Sequence, residues 1–157
     1  MKKRTLFKYI MDDAWCKPIS GVTLYEDGTV KFYSIGNEDP WSLETLLAQS
    51  EPHIIKLDEV TLKKVRRILD NDKIYKIGQL DYVPDIIVSD GYVHEFVFLT
   101  GTKRIRRKID NISVCKGEYK NSPKSAFIID IMEEIGKVLC RAGVEKACFQ
   151  LERGIDV

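Results

Sequence analysis

The chain has 157 residues, 25 basic against 24 acidic, a formal net charge of +1 and a hydrophobic fraction of 44%. So even a charge balance gives no whole-molecule pull toward nucleic acid or an anionic membrane, and the apolar content lies clear of the disordered range. The length suits one domain over 1–157 that buries roughly two-thirds of its unfolded surface, and no run approaches the roughly 18 apolar residues of a membrane span.

The opening MKKRTLFKYIMDDAW starts basic, like a signal peptide, but Lys8 breaks its apolar run and Asp12-Asp13 ends it. With no adequate apolar region to direct secretion, a cytoplasmic location is expected. Residues 4–11 suit a first strand, and 12–18 a loop carrying Trp15. GVTLYEDGTVKFYSIG reads as a hairpin with Asp27-Gly28 at its tip. A two-residue loop there pairs Tyr25 with Val30 and Thr23 with Phe32. Asp39-Pro40 predicts a helix start, and Leu43, Leu46 and Leu47 then share one stripe; HIIKL after Pro52 suits a short strand.

Asp58 is placed to cap a second helix, in which Leu62, Val65, Ile68 and Leu69 recur at helical spacing. Residues 74–77 read as a strand leading into the stretch from Pro84 to Ile109. That stretch predicts a three-stranded antiparallel meander turning at Asp90-Gly91 and Gly101-Thr102. Its register sets Leu99 opposite Arg104, Phe98 opposite Ile105, Phe96 opposite Arg107 and His94 opposite Ile109. His94, Phe96, Phe98, Ile105 and Ile109 then point to the core, while Arg104, Arg106 and Lys108 share the other face. A three-residue second loop would turn those cations inward at high cost. After a polar loop, Pro123 opens the longest helix, with Ile128, Ile131, Ile135 and Val138 on its buried stripe and Gly143 at its end. The tail from Val144 alternates like one more strand.

The expected fold is therefore α+β: an antiparallel hairpin and a three-stranded meander in a sheet packed by a long C-terminal helix and one or two shorter ones. The order hairpin-then-helix occurs twice, over 19–72 and 84–143. An internal duplication would explain it, though Asp-Gly tips are common in any hairpin.

Chemistry is harder to find. The chain has no GxGxxG, GxxxxGK[ST], HExxH or GxSxG pattern. Its two histidines, His53 and His94, have no cysteine or carboxylate at ligand spacing, so neither a metal site nor a cofactor is expected. The four cysteines (Cys16, Cys115, Cys140, Cys148) are far apart and read as reduced, mostly buried thiols. Cys115 lies six residues beyond the position facing His94, about 20 Å along an extended strand at ~3.3 Å per residue, so a core histidine is the better reading of His94.

Residues 103–108 carry five cations in six positions. Arg104, Arg106 and Lys108 suit a phosphate or an acidic protein surface; equally, cations on an outer strand prevent edge-to-edge aggregation. Trp15, Trp41 and Tyr119 stand in irregular segments where aromatics either anchor a partner or plug the core. These features favour a non-catalytic domain that binds another protein through sheet surface and loops. Alternatives are nucleic-acid binding through strand 103–108 and helix 59–70, or a small enzyme with an unrecognised site.

Overall fold

A computed structural model describes residues 2–13, 15, 17–35, 39–78, 92–110 and 123–149. It contains a six-stranded sheet, antiparallel throughout, made of β1 (Thr5–Asp12), β2 (Pro18–Tyr25), β3 (Thr29–Ser34), β4 (His53–Lys56), β5 (Val93–Thr100) and β6 (Lys103–Asp110). The spatial order is β4-β3-β2-β1-β5-β6. The first strand is thus central, with one hairpin paired to each side of it. Helices α1 (Leu43–Ser50), α2 (Glu59–Leu69), α3 (Asp72–Tyr75) and α4 (Pro123–Arg141) complete the α+β architecture. Among the described residues no helix is long and apolar enough to cross a membrane.

Strand alternation gives the sheet two unlike faces. One buries Phe7, Tyr9, Val22, Leu24, Val30, Phe32, His94, Phe96, Phe98, Ile105 and Ile109. Onto it α4 packs Ile128, Met132, Ile135 and Leu139, and α2 packs Val65 and Leu69. Rings occupy the middle: Phe7 meets Phe98 at 5.8 Å and Tyr9 meets Phe96 at 5.3 Å, centroid to centroid. The second face carries Lys8, Ile10 and Asp12 from β1, Gly21, Thr23 and Tyr25 from β2, and Lys31 and Tyr33 from β3. Glu95, Val97, Arg104, Arg106 and Lys108 continue it across β5 and β6.

The β5–β6 register is the expected one, from Thr100 opposite Lys103 to His94 opposite Ile109. The meander's first strand and its Asp90-Gly91 turn lie outside the described residues. In the first hairpin the pairing is displaced by one residue from the even-loop expectation: Leu24 faces Val30, Thr23 faces Lys31 and Val22 faces Phe32. Gly28 adopts φ +83°, its N–H donating to the Tyr25 carbonyl at 3.0 Å, while Asp27 Oδ1 accepts from Thr29 N. A left-handed glycine closing the turn adds the odd residue, and the shift buries Val22 and Leu24 where the even loop would bury Thr23 and Tyr25.

Three further local expectations are corrected. Residues 74–77 are not a strand: Asn71 accepts from Lys73 N and starts the short helix α3, which buries Ile74. The tail after Val144 is not a strand over the described residues but a 3₁₀ turn at Lys146–Cys148, seating Cys148 and Phe149 in the core. Helix α1 is capped by Ser42 rather than begun at Asp39-Pro40; Asp39 instead accepts from Trp41 N and, through its carbonyl, from Ser42 N and the Thr45 hydroxyl. Both other helix signals hold. Asp58 caps α2 by accepting from Thr61 N, and α4 ends with Gly143 at φ +117°, its N–H on Cys140 O and the Val144 N–H on Leu139 O.

Gly28→Ala is expected to cost about 1–2 kcal/mol, the ordinary penalty of a left-handed residue bearing a Cβ, whereas Gly28→Asn should cost less. Urea unfolding with an unchanged slope measures both, and equal stability of the two variants would contradict the turn geometry.

Candidate functional site

Helix α1 lies on the second face of the sheet, at the β2–β3 side, where Ala48 meets a small cluster of Met11, Ile19 and Ile35. Only Thr45 is buried in it, its hydroxyl satisfied by the Asp39 carbonyl at 2.6 Å. The leucine stripe therefore points away from the protein. Leu43 is 71% exposed, Leu46 and Leu47 49% each, and Trp41, one residue before the cap, 60%. Lys17 Nζ sits over the Trp41 ring at 4.3 Å, and Trp15, 71% exposed, is two residues from Lys17 along the same loop. That loop is pinned by Asp13, whose Oδ1 accepts from both Trp15 N and Lys17 N. Neither tryptophan plugs the core, and Trp41 holds its lysine beside a helix whose apolar side faces water.

Beside α1 the second face forms a groove. Gly21 has no Cβ, and one placed there would lie 2.6 Å from Tyr33 Cε1, so the phenol ring rests directly on the strand backbone. Burial pushes the Tyr33 hydroxyl up to about 12. Tyr33, Ile10 and Thr23 line a cavity of about 150 Å³ closed on one side by Gln49 and Pro52.

The basic strand is placed as its register requires, but its charges are partly spent. Glu95, directly across the strand pair, takes Arg106 at 2.8 Å and Lys108 at 3.7 Å. The Arg106 hydrogen bond is the main cause of a lowered Glu95 pKa. On the core side of β6, Lys103 pairs with Asp72 at 2.6 Å, and Arg107 donates to the carbonyls of Gly78 and Arg106. In α2, Lys63 pairs with Glu59 and Arg66 donates to the Glu26 carbonyl. Helix α2 packs on the face opposite Arg104, Arg106 and Lys108, so the two basic segments do not merge into one surface. Tyr119 and Cys115 lie outside the described residues.

His94 is fully buried, with Nδ1 2.7 Å from the Tyr9 hydroxyl. Its Nε2 and the buried Ser125 hydroxyl have no hydrogen-bond partner among the described residues. Burial lowers the imidazole to about 4 and raises Tyr9 far above its ordinary value. Cys148 is held up to about 12, again first by burial, which keeps it a thiol rather than a nucleophile. Among the described residues no three of His, Cys, Asp and Glu are grouped to hold a metal ion.

No family model, curated protein or solved structure matches the chain. The geometry sets Trp41 against Lys17, leaves Trp15 exposed on the same Asp13-pinned loop, keeps Arg104, Arg106 and Lys108 on β6, and adds Leu43, Leu46, Leu47, Tyr25 and Tyr33 to the candidate surface. One signal for α1 was present: Thr45 and Ala48, small residues three apart, mark a side that can approach a sheet closely, which leaves the leucines outside.

The folded pKa of His94, about 4, lies below the ordinary 6.5. As pH falls through 6.5 the unfolded chain takes up the proton first, so this contribution is complete above that pH and is lost progressively toward pH 4, by about 3 kcal/mol in all. Comparing unfolding of the parent and His94→Phe from pH 7 to 4.5 should show the steeper loss in the parent; parallel profiles would contradict it.

Proposed function

We propose that the protein is a non-catalytic binding module whose partner is another protein, docked on the outward side of α1 and the Trp15 and Trp41 loops. The observation that carries this reading is the orientation of α1: three leucines and a tryptophan leave the core side of a short helix to threonine and alanine. A stripe that serves folding would be turned inward, since burying one such side chain gains roughly 1.5–3 kcal/mol. Contiguous exposed apolar surface rimmed by charge is a common mark of a protein interface. Here Glu44, Glu51 and Lys17 supply the rim, and the tryptophans supply the large, rigid contact area typical of anchors. The α1 segment is held by its Ser42 cap and the Asp39 turn, so a partner would meet a preformed helix.

Trp41→Ala and Leu43→Ser are expected to change stability by less than about 1 kcal/mol, as exposed substitutions do, with the lost Lys17–Trp41 contact worth about 0.5–1 kcal/mol. Affinity capture from the native host with parent, Trp41→Ala, Leu43→Ser and Arg106→Glu baits then tests the reading. A near-stoichiometric protein retained by the parent and Arg106→Glu but lost from both α1-side baits is the expected result. The same set of proteins on all four baits, or a melting temperature collapsed by Trp41→Ala, would overturn it.

A further inference from the structure

We infer that the groove on the second face of the sheet, between α1 and the N-terminal end of β1, is a nucleotide-binding surface that stacks bases on Tyr25 and Tyr33 and places phosphates on Lys2, Lys3 and Lys31. Two cavities adjoin there. The one beside α1 is about 150 Å³; the next, about 290 Å³, is lined by Lys2, Lys3 and Thr5; and Tyr25 and Lys31 belong to both. Among the described residues no carboxylate lines either cavity. In a chain whose charges balance almost one to one, three lysines around one groove, with a single acid, Asp27, paired to Lys3 at the rim, are a local departure that favours anions.

The register explains the arrangement. Lys31 and Tyr33 are two apart on β3 and so share a face, while Thr23, opposite Lys31, is two from Tyr25 on β2. Ring, cation and ring therefore alternate diagonally across two strands. Such interleaving suits alternating bases and phosphates, since aromatic faces accept any base and lysines accept the backbone. An acidic peptide would use the lysines and leave the rings without a matched partner. The rings are set before binding: Tyr33 rests on Gly21 with no room for a Cβ between them, and Lys31 Nζ stands 5.9 Å from the Tyr25 ring. Lys3 is held at the rim by Asp27 at 2.6 Å and by the Thr29 hydroxyl at 3.2 Å, whereas Lys2 and Lys31 have no ion pair among the described residues. The cross-strand row that contains Lys31 continues through Thr23 to Lys8, which sets one more cation beside the groove.

The same chemistry would receive a free nucleotide or one unit of a single strand, and both are measured. Fluorescence anisotropy of a labelled 12-residue oligothymidylate is titrated with the full chain at low and moderate salt, then competed with thymidine monophosphate or with polyglutamate. Binding is expected to weaken with salt at a log–log slope of about −0.7 per lysine engaged, and Tyr33→Ala to weaken it about tenfold or more. Lys31→Ala, an exposed change that spares the fold, should weaken binding and make the slope shallower. Displacement by millimolar monophosphate supports a free-nucleotide site, and its absence supports a strand. No binding at low salt, equal displacement by polyglutamate at matched charge, or full affinity in Lys31→Ala would each overturn the inference. Leu43→Ser should bind as the parent does, which separates this groove from the α1 surface.

Discussion

The structure depends on β1 pairing on both of its edges. Its eight residues join a hairpin contributed by the segment just after it to one contributed far later in the chain, and the contact between Tyr9 and His94 closes a separation of 85 residues. Ordering so long a connection carries a loop-closure cost that local structure cannot offset. What offsets it is the row of rings that β1 presents to the helices: Phe7 against Phe98, and Tyr9 against both Phe96 and Phe149. Without that row the two hairpins have no shared hydrophobic face, and α4 has nothing continuous to cover.

Because the rings, both longer amphipathic helices and the terminal 3₁₀ turn all crowd onto one face, the other is left with a mixture. Its β5–β6 end is a charge lattice in which Glu95 offsets Arg106 and Lys108. Asp12 nearby has its carboxyl raised, by burial first and then by Glu95 and Asp13. At the β2–β3 end the surface is aromatic and cationic instead, and α1 stands over only part of it. The apolar side of α1 and the tyrosine groove are neighbours through Gln49 and Pro52, so two kinds of unspent surface meet along one short helix.

Much of the fold can be read from local chemistry. The strand from Val93 could pair with the one from Lys103 in only one way without burying Arg104 and Arg106, and Asp58, Pro123 and Gly143 mark helix ends through groups that act within a few residues. Harder to read were features decided by competition between near-equal local options. Asp27-Gly28 suits an even or an odd loop, and the choice fell to whether Leu24 or Tyr25 would be buried, which depends on helices distant in sequence. Ile74 looks like a strand residue by composition, yet Asn71 caps a helical turn that buries it equally well. The candidate surfaces were the least legible. A leucine stripe on a short helix signals amphipathicity but not which side meets the sheet. The groove exists only because β2 and β3 bring Tyr25, Lys31 and Tyr33 into register with Gly21.

The border strand β6 has a further consequence. Its tight turn places Lys103 in a hydrogen-bonded pair with Thr100, so the alternation directs the Arg106 carbonyl away from β5. That oxygen is already occupied by Arg107 Nη1 at 2.8 Å, while Nε of the same guanidinium anchors on Gly78. A backbone amide from another molecule arriving at this margin meets, at Arg106, a carbonyl that already holds one hydrogen bond. The arginine thus acts as a selvedge, a woven border on the outer strand of the described sheet, of the kind that discourages strand addition from another molecule.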